Sequence, residues 1–314
     1  MLFTPCLADS LQKQSRITAM TSFKTWILAG LFGLLGAPVL AIADAGHPVN
    51  WQLGLQDSVT PVGDFINSFH NGLLVLITAI VVFVFGLLVY VMLRFNSKAN
   101  PVPSTTTHNA LLEVLWTIVP VIILAVIVIP SMKLLYYQRN IPKGDLTVKI
   151  IGNPSWNWTY EYPDLGVNAD KSAKVSFTSY LLPEEKAKAE GRTYLLATDV
   201  PMVVPVNKVV KLIVTADPDG IMHAWYLPSF GVNMDAIPGR LNEDWFQATK
   251  EGVYNGQCVQ LCGKEHAYMP IEVWVVSEDK YKAWADVQLK SPKPDELDQF
   301  LKTIRPADAK IAAN

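Results

Sequence analysis

The chain has 314 residues, 50% of them hydrophobic and 17% charged, with a formal net charge of −2 and a mean hydropathy of +0.23. Such a balance excludes a single soluble domain and calls for membrane segments beside one folded unit, while the lack of a basic excess excludes nucleic acid as a partner. Three cysteines are too few for a disulfide-stapled scaffold, and Cys258 and Cys262 stand together far from Cys6.

In chain order, Lys13, Arg16 and Lys24 precede the uncharged run Trp26 to Ala43, which ends in Ala41-Ile42-Ala43 and is followed by Ala45. This reads as a signal peptide over residues 1–45, whose cleavage would remove Cys6; the run is short for a membrane span, the alternative reading. The uncharged run Gly72 to Leu93 matches about 30 Å of hydrocarbon at about 1.5 Å per residue. A second run, Val114 to Met132, holds Pro120 and Pro130, which membrane helices tolerate. The expected arrangement is a hairpin within residues 46–140, with helices at about 72–94 and 112–132. Its connection carries Arg94 and Lys98, whereas Gly46 to Asn71 has no Lys or Arg, so the connection should face the cytoplasm and both chain ends the outside.

From about Asp145 the texture changes to short β-rich runs between turn residues: Leu146 to Gly152, Trp158 to Tyr162, Lys174 to Leu181, Thr193 to Ala197, Lys208 to Ala216, Met222 to Leu227, Asp244 to Ala248 and Ile271 to Val276. Their spacing predicts an antiparallel sandwich within residues 141–290. Glu278 to Lys290 is expected as a surface helix, and residues 291–314, rich in Pro, Lys and Asp, as a weakly held tail.

The segment Gly256-Gln257-Cys258-Val259-Gln260-Leu261-Cys262-Gly263-Lys264-Glu265-His266-Ala267-Tyr268-Met269-Pro270 carries the chemistry. Two thiolates, an imidazole and a thioether form a soft ligand set that selects copper over hard cations, and His223 supplies a distant second imidazole. One Cys would suit a single copper; two allow each sulfur to bridge a pair of ions. A Cys258–Cys262 disulfide leaves His266 and Met269 without a role, and zinc is a poor match for Met. His47, His70 and His108 are read as surface or interface residues rather than ligands.

The Cys-x3-Cys-x3-His-x2-Met segment resembles subunit II of bacterial cytochrome c oxidases. So do the run from His223 to Val232, the motif Asp235 to Arg240, the aromatic run Trp156 to Tyr162, and His108-Asn109 with Glu113 and Trp116-Thr117. The resemblance covers roughly residues 60 to 280. It implies a two-helix transmembrane hairpin followed by an all-β cupredoxin-like Greek-key sandwich. It further implies a binuclear copper A centre bound by His223, Cys258, Cys262, His266 and Met269, with the carbonyl of Gln260 as a further ligand. Electrons would enter through Trp156 from cytochrome c, and Glu113 would serve proton uptake. Implied partners are the catalytic subunit I, which reduces oxygen, subunit III, and the lipid bilayer; the implied location is the bacterial inner membrane with the copper domain in the periplasm.

Three departures stand out. Gln260 occupies the place of a Glu whose carboxylate binds magnesium or manganese at the border with subunit I. Asp219 lies one residue further from His223 than the family's spacing, and Asn157 interrupts the aromatic run. Three rival readings fit less well: a quinol oxidase subunit would lack the cysteine pair, a copper-delivery module would not need Glu113 or the aromatic run, and nitrous oxide reductase needs a catalytic domain this chain has no length to supply.

Overall fold

The computed structural model describes residues 46–169 and 172–306. The expected signal peptide lies outside them.

Helix α1 spans Pro61–Arg94 and α2 spans Ala110–Arg139. Thr60 caps α1 by accepting a hydrogen bond from the Gly63 amide, and proline fills the first helical position, where its missing N–H costs nothing. Asn109 caps α2 through the amides of Leu111 and Leu112. Apolar side chains face outward along both, from Leu74 to Leu93 and from Leu111 to Ile129. Outward apolar surface on helices this long is stable in lipid rather than water. At 34 and 30 residues the helices run to about 51 and 45 Å, longer than about 30 Å of hydrocarbon. Accordingly α1 begins well before the apolar run and α2 continues past it, into contact with the β domain. Trp245 donates to the Gln138 carbonyl at 3.0 Å and meets the Tyr137 ring edge-on at 5.9 Å.

Among the described residues the β domain has ten strands: β1 Leu146–Asn153, β2 Asn157–Glu161, β3 Ser176–Ser179, β4 Met202–Pro205, β5 Val209–Ala216, β6 His223–Leu227, β7 Val232–Ala236, β8 Asn242–Gln247, β9 Gly252–Cys258 and β10 Pro270–Val276. They form two five-stranded sheets, ordered β3-β2-β1-β5-β8 and β4-β10-β9-β6-β7. The chain crosses between the sheets repeatedly, as Greek-key sandwiches do. The sheets are mixed rather than purely antiparallel, because β1 pairs with β5 and β10 with β4 in parallel. Along β1, Leu146, Val148 and Ile150 are buried while the residues between them are not, the period of two expected of a half-buried strand. These side chains share one core with Val210, Leu212 and Val214 of β5 and Trp225, Val273 and Val275 of the facing sheet.

Three further expectations need correction. Thr193 to Ala197 is no strand: Leu195 adopts φ 70°, a left-handed conformation incompatible with a ladder. Residues 46–56 do not belong to the hairpin alone, since Gly46 accepts from the Asn255 amide at 2.9 Å and His47 bonds the Asn255 side chain at 2.8 Å. The C-terminal stretch is not a loose tail. After α3 (Glu184–Ala189) and α4 (Glu278–Gln288), α5 spans Pro294–Ile304 and buries Leu297, Leu301 and Ile304 in the main core, worth about 1.5–3 kcal/mol per side chain. Its Asp298 also pairs with Lys186 of α3 at 3.1 Å.

Two buried acids depend on opposite circumstances. Glu272 of β10 is 1% exposed and fully partnered: Arg192 and the Thr198 amide (2.7 Å) bond one oxygen, and Trp274 Nε1 (2.8 Å) the other. Removing one member of such a pair costs about 3–5 kcal/mol. Asp244 of β8, by contrast, has Oδ1 bonded to the Trp245 amide at 2.8 Å and Oδ2 buried without a partner. Burial pushes its pKa up to about 6, against the weaker pull of Arg139. The unfolded carboxyl titrates near 3.9, so this group favours the native state most below that value. The advantage is lost as pH rises through the folded pKa. Asp244→Asn is therefore expected to raise the melting temperature at neutral pH and to flatten the profile between about pH 4 and pH 7. Thermal unfolding of both proteins across that range checks it; an Asn variant that still loses stability with the wild-type slope contradicts it.

Candidate metal centre

Neighbouring strands bring the soft ligands to one end of a single sheet. His223 opens β6, Cys258 closes β9, and Met269 immediately precedes β10. Register fixes the rest: Trp225 lies opposite Cys258, Gln257 opposite Pro270, and the Cys258 amide donates to the Met269 carbonyl at 3.2 Å. Between the cysteines the chain makes a tight excursion, then a turn of 3-10 helix at His266–Tyr268.

Within this cluster the Cys258 and Cys262 sulfurs are 3.9 Å apart, and both thiols are free. A disulfide requires about 2.05 Å. Two metal–sulfur bonds of about 2.3 Å to a common ion, however, reach across this gap. His223 Nδ1 is 3.9 Å from Cys258 Sγ, His266 Nδ1 is 3.3 Å from Cys262 Sγ, and the Gln260 carbonyl is 3.4 Å from Cys258 Sγ. The ligand atoms of His223, Cys258 and Cys262 lie within 4.8 Å of one another. Met269 is 1% exposed. The donor set thus fits a soft metal centre, with nitrogen donors flanking a sulfur pair.

Burial disfavours charge on two of these side chains, Cys262 and His223. Burial, then the neighbouring Cys258, pushes the Cys262 thiol up to about 12, and burial lowers the His223 pKa. Neutral imidazole is the form that binds metal, and a cation would reverse the penalty on the Cys262 thiolate, so loading should release protons.

Trp156 sits over this loop. Its indole donates to the Cys262 carbonyl at 2.9 Å, Lys264 lies 5.9 Å from its ring centroid, and a hollow of about 440 Å³ beside it is lined by Tyr180, Leu181 and Tyr268 among others. It is half-buried rather than fully exposed. The ring is presented from the β1–β2 turn with Trp156 at φ 55°, a conformation that costs energy for a bulky residue. Asn157, the departure from an aromatic run, holds this turn: its Nδ2 donates to Ser155, and its Oδ1 accepts from Asn153 at 2.7 Å. Trp158, by contrast, is fully buried and meets the His223 ring edge-on at 5.8 Å.

Gly152 was not among the residues singled out from sequence. A Cβ there would come 2.7 Å from His223 Cδ2, so the imidazole has its place because β1 lacks a side chain. A glycine inside a strand is the available signal for such an approach. Glu113 lies away from the centre, exposed in the first turn of α2.

A two-helix membrane anchor carrying a β-sandwich with a Cys-Cys-His ligand cluster at one end defines a membrane-bound, cupredoxin-like metalloprotein. The chain matches the family description "Cytochrome C oxidase subunit II, transmembrane domain" over residues 48–134 and "Cytochrome C oxidase subunit II, periplasmic domain" over residues 146–276. It is 41% identical over 240 residues to a probable cytochrome c oxidase subunit 2 of Rickettsia bellii, covering 76% of this chain and 85% of that one. It is 42% identical over 285 residues to cytochrome c oxidase subunit 2 of Cereibacter sphaeroides, covering 83% and 90%. The solved periplasmic domain of subunit II of cytochrome oxidase from Bradyrhizobium japonicum aligns at 46% identity, covering 48% of this chain and 98% of that one with a TM-score of 0.42. The chain belongs to the cytochrome c oxidase subunit II family. It is an integral membrane subunit of a haem–copper oxidase, and the reading as a separate copper-delivery module gives way.

Proposed function

We propose that this chain takes electrons one at a time from cytochrome c at a binuclear copper A centre and hands them to the haem-bearing catalytic subunit, which reduces oxygen and moves protons. The observation that carries this reading is the pair of free sulfurs at 3.9 Å, flanked by His223 and His266. Two coppers held across two thiolates would take up and release a single electron with little rearrangement. His223, Cys258, Cys262, His266, Met269 and the Gln260 carbonyl would hold them. The rigid β6–β9–β10 register spares those residues reorganisation, and burial keeps water from the sulfurs. Trp156 would receive the electron, because its 2.9 Å hydrogen bond joins the ring to the backbone of a ligand cysteine. Arg94 and Lys98 in the connection, against no Lys or Arg over Gly46 to Asn71, support an inner-membrane location with the copper domain and both chain ends in the periplasm after removal of residues 1–45; Lys133, Arg139 and Lys143 oppose it, but a long domain crosses largely regardless of charge. Subunits I and III are the expected neighbours. The test is stopped-flow mixing of the purified oxidase with reduced cytochrome c: the copper centre should be reduced before any haem, and haem reduced first would defeat the reading.

Glu113 is proposed as the proton-uptake carboxylate at the cytoplasmic end of α2. Glu113→Ala should slow turnover while leaving copper content unchanged; equal turnover at several pH values would instead leave it a favourable charge at a helix N-terminus.

Gln260 is proposed to weaken the second, hard-metal site at the border with subunit I, since a neutral amide is a poorer ligand than a carboxylate. Metal analysis should find copper at full content with reduced magnesium or manganese. Full occupancy with the Gln260 side chain bound would contradict this.

A further inference from the structure

We propose that Thr60 is a positioning residue that fastens the first membrane helix to the β domain and thereby fixes the stance of the metal-bearing strands over the membrane; its consequence for electron transfer rests on the copper reading above. Thr60 is 0% exposed. Its hydroxyl accepts from the Gly63 amide at 3.0 Å, which caps α1, and donates to the Phe230 carbonyl at 2.7 Å, which belongs to the β domain. A hydroxyl can do both at once, since it offers one proton and two lone pairs.

Around this hydroxyl the chain is stitched on both sides. The Val59 amide donates to the Ser229 carbonyl at 3.0 Å. The Val59 carbonyl accepts from the Thr249 amide at 2.9 Å and from its hydroxyl at 3.0 Å. The Ser229 hydroxyl bonds Gln56 at 3.0 Å. Residues 56–60 are thus held between the turn Pro228–Phe230 and the end of β8, immediately before α1 begins.

That turn continues directly from β6, the strand that opens on His223 and pairs with β9 beside Cys258. Nothing compressible separates it from the helix: a Cβ on Gly231 would stand 2.9 Å from both Gly63 Cα and Ile66 Cδ1. Gly231 also has φ 70°. Any rocking of the β domain on α1 must therefore break the Thr60 bonds or force backbone against backbone. The far end of the contact is held separately, by Trp245 on α2.

Thr60→Val keeps the shape and deletes the hydroxyl, leaving the buried Phe230 carbonyl and the Gly63 amide without this partner. Thr60→Ser restores both bonds. In the purified oxidase, Thr60→Val should leave the copper resonance signal and its reduction by cytochrome c at wild-type values, yet slow onward transfer to the haem by about tenfold or more, the scale on which ångström misplacements act. Thr60→Ser should recover the rate. In the metal-free full chain in lipid nanodiscs, amide exchange at Val59, Gly63 and Thr249 should accelerate in the Val variant and return to wild type in the Ser variant. Gly231→Ala, which wedges helix and turn apart with Thr60 in place, should slow onward transfer in the same way if Thr60→Val fails to accumulate. Unchanged exchange in Thr60→Val, or accelerated exchange with a wild-type onward rate, would overturn the proposal. So would loss of the copper signal itself, which would place Thr60 in support of the metal instead. A wild-type chain without any copper signal would sink the electron-transfer reading alone, because the exchange comparison needs no metal and still decides the fastening.

Discussion

Replacing Cys258 or Cys262 by serine is expected to abolish copper binding as a pair and, with it, all electron input to the oxidase. The two sulfurs face each other at 3.9 Å, each within 4 Å of a different imidazole. Neither has a substitute among the described side chains that could bridge. A serine hydroxyl is a hard donor that stays protonated near neutrality, so it cannot replace a thiolate for copper. The loss should be of function and not of fold, because each cysteine is one small member of a large core. Copper per chain, the resonance spectrum and circular dichroism together check this. A Cys262→Ser protein with two coppers and full turnover would mean that the centre is not bridged by both sulfurs. Met269→Leu should be milder, since a weak thioether ligand mainly tunes potential.

Trp156→Gln is expected to slow electron delivery strongly while leaving donor association intact. Residues 141–289 carry 14 Lys and Arg against 19 Asp and Glu, a surplus of negative charge that would steer a basic donor such as the proposed cytochrome c and make its association fall with salt. That field is spread over the domain and does not depend on one indole. What the substitution removes is the ring bonded to the Cys262 carbonyl at 2.9 Å, which under the proposed copper reading would bridge the hollow beside Tyr180 and Tyr268 to a cysteine of the centre. Stopped-flow reduction across ionic strengths should show the wild-type salt slope with a much smaller limiting rate. An unaltered limiting rate would remove Trp156 from the path. A changed slope would mean that it acts in docking.

The membrane helices were legible because a long uncharged run has few alternatives, but their ends were not. The start of α1 is set by Thr60 and Pro61, a cap and a first-turn proline lying among polar residues that a length rule passes over. The candidate ligand loop stood out because Cys258, Cys262, His266 and Met269 sit close in sequence, and the fold gathers His223, Cys258 and Cys262 into one cluster. The groups around it are distant in the chain: Gly152 lies against His223, and Asn157 braces the turn that presents Trp156. Local composition marks only the first of these, through a glycine inside a strand, and does not say which side chain that glycine admits. In the C-terminal stretch the helical spacing of Leu297, Leu301 and Ile304 was present, but the Pro, Lys and Asp around it masked one buried face. At Thr193 to Ala197, β-forming side chains suggested a strand, whereas the segment folds back so that its Leu195 and Leu196 carbonyls accept from Gln257 and Asn255 on β9.

The measurement that bears most directly on this account is copper quantitation combined with electron paramagnetic resonance on the full-length chain loaded with copper. Two coppers per chain sharing one unpaired electron are expected, with the signal lost on one-electron reduction. One copper per chain with an ordinary mononuclear spectrum, or zinc in its place, would contradict it.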